Sequence, residues 1–417
     1  MPDVTDVLAR YETIRAAQEE FYRDLHRHPE LSHQERRTAA EVARRLTAWG
    51  YDVETGIGGT GVVGILSSGD GPTVLMRADM DALPVREATG ATYASEEQAT
   101  DAAGQAVPVM HACGHDVHVA CLLGAAQLLA DSRDAWRGTV VALFQPAEEA
   151  GDGARGMVDD NLAGRIPRPD VALAQHVLAM PAGRVGTRAG AVFSAADSMR
   201  VRVFGRGGHG SMPQNTIDPV VLASHIVVRL QTVVARETDP TDPAVLTVGS
   251  IHAGTKSNII PDEAVLELNT RSYTDATRQR LRDAVERIVR AECAASGSPR
   301  EPEFELYDGF PLTMNDAEAT HRVTAAFAAW FGDNAGELPL QTASEDFSDI
   351  PSALGVPYTY WGLGGVDPLV WDAAVAAGTV TSEIPANHSP LFLPVVQPTL
   401  RTGTEALLVA AGAWLTP

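Results

Sequence analysis

The chain has 417 residues, 45% hydrophobic and 21% charged, a globular composition that excludes a fibrous or disordered protein and is long enough for two domains. A net charge of −22 makes nucleic acid and anionic membranes poor partners, and no stretch resembles a membrane span, the densest apolar run, 119–129, being too short. The N-terminus mixes acids and bases where a signal peptide has a basic start and apolar core, and three sparse cysteines argue against a disulfide framework, so a cytoplasmic, reducing setting is expected.

Leu8, Tyr11, Ile14, Phe21 and Leu25 recur at helical spacings among charged residues and predict one amphipathic helix ending near Pro29. A second helix is predicted over 38–49, stopped by Gly50. Three apolar runs then end in reactive side chains: 73–76 leads into Asp79 and Asp81, 140–144 into Glu148 and Glu149, and 171–174 into His176. Runs of this length suit strands buried on both faces, as in a parallel sheet covered by helices. Ligands of open α/β sheets bind beyond the carboxyl ends of the strands. These acids and the histidine are therefore expected along one edge of one sheet. Between the first two strands lies His111-Ala-Cys113-Gly-His115-Asp116-Val-His118, followed by a compact apolar helix over 119–130.

After about residue 190 the texture changes. Residues 199–203 and 264–271 alternate, as antiparallel strands with one wet face do, while 219–236 and 276–294 read as helices. The order strand, helix, strand, strand, helix, strand, closing near 304–307, is the split βαβ, ferredoxin-like pattern. The predicted fold is thus α/β: a catalytic domain, 1–189 and 309–417, with a mostly parallel sheet covered by helices, and an inserted α+β domain, 190–308. A helix over 317–331 returns the chain to α/β texture; the tail adds Ser344-Glu345-Asp346-Phe347, the Gly-rich 361–365 and Asn387-His388.

Cysteine, histidine and carboxylate are the usual side chains of a transition-metal site. Cys113 and His115 are separated by one glycine, so in an extended loop both face one region of space. Glu148 and Glu149, adjacent at a strand end after Pro146, would repel unless a cation lay between them. A division of labour follows, one glutamate binding metal and the other acting as general base. Cys121 and Cys293 read as core residues. Sulfur and imidazole favour Zn, Mn, Ni or Co over Ca or Mg.

MRADMDALPV (76–85), MHACGHDVH (110–118), QPAEEAGDGARGM (145–157), QHV (175–177), GRGGHGSMP (205–213), SNIIPDEA (257–264), SEDFS (344–348) and NHSPLF (387–392) occur in this order. On these motifs, from about Leu25 to His388, the chain resembles the metal-dependent amidohydrolase family of aminoacylases, hippurate hydrolases and indole-acetyl-amino-acid hydrolases. That family lies within the di-metal aminoacylase and carboxypeptidase superfamily. The resemblance implies one or two divalent metal ions held by Cys113, His115, Glu149, His176 and His388, with Glu148 as catalytic base and Asp81 as the acid that orients a ligand. The wider superfamily usually has a histidine ligand two residues before that acid, where Asp79 stands here, and the cysteine ligand is a feature of this branch.

The resemblance further implies that the inserted domain is a lid and dimerisation domain, with His209, Asn258 and Arg271 recognising substrate. Gln214 stands where many relatives carry a histidine, and LFLPVVQPTL (391–400) lacks the acids relatives often have there. The implied activity is hydrolysis of the amide bond of N-acyl-amino acids by metal-activated water with a glutamate base, in a homodimer. A carboxypeptidase or dipeptidase of the same superfamily, acting on a dipeptide or similar small molecule, is the alternative. A non-catalytic metal- or ligand-binding homologue is a third reading, against which Glu148 and the full ligand set argue.

Overall fold

The apolar runs extend into the strands Thr73–Asp79, Gly138–Gln145 and Val171–Pro181 in the computed structural model of the chain, which describes residues 4–415. Nearly every residue of the three is buried, as their two-sided apolarity requires. They are neighbours in one sheet and parallel, with Thr73–Asp79 in the middle. Tyr358–Val366 adds a fourth parallel strand beside Val171–Pro181. This is the Gly-rich stretch of the tail. Its glycines allow a close approach: a Cβ on Gly364 would lie 1.8 Å from the carbonyl oxygen of Pro181. The hairpin of Asp52–Ile57 and Gly61–Ser68 extends the sheet on one side, and Val185–Thr187 and Ala335–Glu337 on the other, giving eight strands.

Beyond its polar first turn, the helix His115–Asp131 is apolar on nearly all faces and almost wholly buried, as a helix without a polar side must be. It packs against the helices Tyr11–Arg27 and Val396–Gly412 and on the strands Thr73–Asp79 and Val171–Pro181. The first predicted helix is in fact two, Val4–Leu8 and Tyr11–Arg27, separated by a turn at Ala9 and Arg10. These elements belong to one compact unit, which ends its first stretch at Val192 and also holds Met314–Leu340 and the chain from Asp346 on.

Phe193–Thr313 and Gln341–Glu345 form a second unit. Its sheet has the order Ala244–Ala253, Glu263–Ser272, Ala195–Phe204, Glu303–Phe310, with every neighbouring pair antiparallel. The helices Pro219–Thr232 and Asp275–Ala295 pack on it, completing the ferredoxin-like arrangement. Asp218 caps the first helix by accepting from the N–H groups of Val220 and Val221, and Thr274 caps the second. Val201, Ile226, Leu266, Leu281 and Val285 belong to their shared core.

One helical stretch among the described residues, Pro219–Glu237, is long and apolar enough to cross a membrane by length and composition, which the sequence expectation passed over. Leu222, Ala223, Ile226 and Leu230 are buried in the core of the second unit.

Candidate metal centre

The loop before the helix His115–Asp131 turns on Gly114, whose φ of 84° is left-handed. A Cβ at this position would meet the Val177 side chain at 2.4 Å, so glycine is required both for the turn and for the approach to the neighbouring strand. The turn leaves Cys113 and His115 buried on either side of it. The Sγ of Cys113 lies 3.5 Å from Nε2 of His176. Cys113, His115 and His176 offer ligand atoms within 4.8 Å of one another.

Glu148 and Glu149 leave the strand Gly138–Gln145 through Ala147, a non-glycine residue with a φ of 51°. The Ala147 N–H donates to Glu35 at 2.8 Å, which ties down this strained turn. Burial, and after it Asp81, pushes the Glu35 carboxyl above its ordinary range. Cys113, Glu149 and His388 form a second group of mutually close ligand atoms, and His115, Glu148 and Glu149 a third. His388 is more exposed than the others; its Nε2 lies 3.3 Å from Oε1 of Glu149. Its own backbone is left-handed, with φ 70°, and its N–H donates to the carbonyl of Ala112 at 2.8 Å.

Hydrogen bonds orient two of these rings. Nδ1 of His115 is 3.0 Å from the carbonyl oxygen of Asp81 and 3.2 Å from its carboxylate, both acceptors. Nδ1 is therefore a donor, and Nε2 is the nitrogen that faces the cluster. Asp81 is itself held by Ser32 Oγ at 2.7 Å and by the Glu149 N–H at 2.9 Å. Nδ1 of His176 likewise donates to the carbonyl of Val177 at 2.8 Å, turning Nε2 toward Cys113.

The charges are unbalanced without a cation. Burial works against an imidazolium, yet Asp79 and Asp81 outweigh it and push His115 up to about 10. Burial, then Glu149 and Glu148, pushes the Cys113 thiol well above its usual range. His115 Nε2 and Glu149 Oε1 are buried and make no hydrogen bond. Buried polar atoms in native proteins nearly all find partners, so two orphans aimed into one cluster point to an absent ligand. A thiol, three imidazoles and a carboxylate suit a divalent transition ion.

The family model of peptidase family M20/M25/M40 matches residues 75–376. The chain belongs to that family. Thermostable carboxypeptidase 1 of Saccharolobus solfataricus is 38% identical over 82% of this chain and 84% of that protein. Hippurate hydrolase of Campylobacter jejuni is 36% identical over 83% of this chain and 86% of its own length. A solved Bacillus subtilis structure, described as a dinuclear metal-binding peptidase of the M20 family, has a TM-score of 0.76 at 27% identity, covering 96% of this chain and 98% of that one. The M20 chain described here is accordingly a hydrolase of amide bonds, an amidohydrolase or peptidase.

Cys113, His115, Glu148, Glu149, His176 and His388 are thus brought together in one unit, with Asp81 directly behind His115. His209, Asn258 and Arg271 lie in the other unit. His209 pairs with Ile259 across a short ladder, and its exposed ring takes both the N–H and the hydroxyl of Ser211 at Nδ1, leaving the Nε2–H to donate. The Asn258 carbonyl accepts from Gly210 at 2.9 Å. The Arg271 guanidinium donates to Asn269 Oδ1 at 3.1 Å and Ser344 Oγ at 2.7 Å.

Sequence reasoning left Glu35, Asn387 and His118 without roles. His118 had a legible signal, standing three residues after His115 at the start of one helix. Glu35 had none, since nothing in its local pattern points to Ala147.

Proposed function

We propose that this M20 hydrolase cleaves the amide bond of N-acyl-amino acids. The observation that carries the reading is the convergence of Cys113, His115, Glu149, His176 and His388 beside the buried Glu148. One or two divalent ions held there, Zn, Mn, Ni or Co, would supply Lewis-acid polarisation of the scissile carbonyl and a lowered pKa for the attacking water. Cys113, His115, Glu149, His176 and His388 are the ligands in this proposal. Glu148 takes the proton of the attacking water on a carboxylate oxygen and delivers a proton to the leaving amine nitrogen. Asp81 acts through His115, keeping the proton on Nδ1 so that Nε2 stays a ligand.

Substrate recognition is assigned to the second unit. Arg271 offers a planar fork for the free carboxylate of the substrate. His209, whose Nδ1 is taken by Ser211, keeps an Nε2–H that would donate to an oxyanion, and Asn258 would serve a polar group of the substrate. A homodimer belongs to the same proposal. Val245 and Ile251 on the edge strand Ala244–Ala253 and Val228 on the neighbouring helix are exposed apolar residues of that unit, a surface suited to a twin copy. A cytoplasmic setting is proposed with it, supported by three free cysteines.

The similarity to a carboxypeptidase favours a second reading, exopeptidase action on small peptides. Both readings place an amide next to a free carboxylate. A metal-supplemented assay on acetyl-, benzoyl- and indole-acetyl-amino acids and on dipeptides separates them. Turnover of N-acyl-amino acids over dipeptides supports the proposal, the reverse supports the second reading, and no turnover of either class under any metal sinks both.

A further inference from the structure

His118 lies three residues after His115 on the same face of one helix, and the two rings stack with centroids 5.4 Å apart. It is fully buried. Asp79, His115 and His118 offer ligand atoms within 4.8 Å of one another, so a metal ion could be drawn among them. The hydrogen bonds assign the ring differently. Nε2 of His118 accepts the main-chain N–H of Val177 at 2.8 Å. A neutral imidazole has one lone pair, and it is spent here. Nδ1 must then carry the proton, and it donates to Oδ1 of Asp79 at 2.5 Å. The other oxygen of Asp79 accepts from Nη1 of the buried Arg77 at 2.6 Å.

We infer that His118 is a positioning residue of the metal centre, fixing the ligand His176 through a relay from Arg77 and Asp79 to the Val177 main chain. The inference rests on the metal-centre reading above. Val177 is where the relay acts. Its carbonyl receives Nδ1–H of His176, so the main chain at Val177 sets the angle of that ligand ring. The same carbonyl accepts from Nδ2 of Asn387, which also donates to the carbonyl of Cys113. The His118 ring meets the His176 ring edge-on, with centroids 4.6 Å apart at 77°, which blocks its rotation. Asp79 therefore does not need to ligate in order to matter, and Arg77 keeps its charge compensated within the relay.

The test uses the full chain stripped of metal and reloaded with Co(II), read by dissociation constant and by the visible and thiolate-to-cobalt absorption bands. His118→Phe keeps a ring but loses both hydrogen bonds. It is expected to weaken cobalt binding roughly 10–100-fold, the usual cost of removing a partner behind a ligand, and to shift the bands. His118→Gln, which can still accept from Val177, is expected to recover part of both. An unchanged constant and spectrum in a folded His118→Phe overturns the relay.

If neither variant folds, ¹⁵N NMR of histidine-labelled wild-type protein loaded with Zn decides. Nδ1–H with no zinc on either ring nitrogen of His118 is expected; a zinc-bound nitrogen at His118 overturns the inference. Cys113→Ser and His176→Ala serve as controls on the underlying reading. Should they too bind cobalt like wild type, the metal centre itself has been misassigned, whereas their loss of metal beside a normal His118→Phe removes only the relay.

Discussion

The main-chain N–H of Ala147 donates to the buried carboxylate of Glu35 across 112 residues of sequence, at 2.8 Å. The same carboxylate accepts from the N–H of His33 and from Oγ1 of Thr60. Glu35 thus anchors the left-handed residue from which Glu148 and Glu149 depart. Glu35→Ala should leave the Ala147 N–H unpaired and cost about 1–3 kcal/mol of stability. It should also lower kcat, because Glu148, the proposed base, departs from that turn. Glu35→Gln keeps an acceptor and should do less on both counts. Denaturant midpoints and kcat for the pair check this; equal effects of Ala and Gln would show that the acceptor is not what matters.

Glu148 and Glu149 are neighbours with separate assignments. Glu148→Gln should retain its metal and lose activity by a factor on the order of 10²–10⁴, the usual worth of a general base. Glu149→Gln should bind metal more weakly, since its Oε1 is the atom facing His115 and His388. Metal content by elemental analysis, set beside kcat, distinguishes them. A metal-poor Glu148→Gln means the two roles are reversed.

Metal uptake should release protons. In the metal-free chain the Cys113 thiol is pushed well up by burial and the two glutamates, and the paired His115 is lifted to about 10. At neutral pH both therefore carry a proton that the ion must displace. Raising the pH removes this competition, so affinity should rise with pH through the neutral range and up to about 10 as far as His115 is concerned. A weakly buffered titration of the metal-free protein with Zn measures the release directly. Bound metal should also shield Cys113 from alkylation, and a chelator should expose it. Equal alkylation with and without metal speaks against coordination.

A buried ion cluster behind the site predicts a second pH effect. His26 lies 2.6 Å from Asp116 and 3.2 Å from Glu87. Burial disfavours its charge, but these carboxylates win and lift it to about 9. A raised histidine contributes stability that is fully present below its unfolded pKa, about 6.5, and is lost as pH rises through the folded value. The contribution is at most on the order of 3 kcal/mol. Urea unfolding of wild type and His26→Gln should therefore differ most below about pH 6.5 and converge toward pH 9. A gap that stays constant across this range would mean that His26 is held neutral.

Much of the sheet was legible because strands buried on both faces leave continuous apolar runs, as at 73–76, 140–144 and 171–174. Asp52–Ile57 was not, because an edge strand with mostly exposed side chains carries no such run. Tyr358–Val366 was noted only as Gly-rich and assigned no element, because its glycines interrupt the apolar run although they let the strand pack closely. The same logic divides the candidate site. Cys113, His115, Glu148, Glu149 and His176 stand at strand ends or in one loop, where pattern alone raises them. His388 follows a loop and is brought in by a hydrogen bond to Ala112, so only its motif marked it. Glu35 and the His118 contact to Val177 are long-range pairings with no local trace.

The second unit carries the sharpest remaining prediction. Arg271 is braced by Asn269 and Ser344, which set its fork without neutralising it. Arg271→Ala should raise KM for free-acid substrates and change little for their amide-capped analogues, because only the former present a carboxylate. His209→Ala should instead lower kcat, since an oxyanion donor acts as charge develops in the transition state. In a homodimer where His209 serves the neighbouring site, two inactive variants complement each other. A Glu148→Gln protomer supplies His209 to a partner whose own Glu148 is intact, so mixing it with His209→Ala should restore part of the activity. The measurement is kcat after subunit exchange, with exchange verified by mass-tagged protomers. Recovery supports a shared site. No recovery despite proven exchange, or full activity of a strict monomer, sinks the shared site and leaves His209 acting within its own chain.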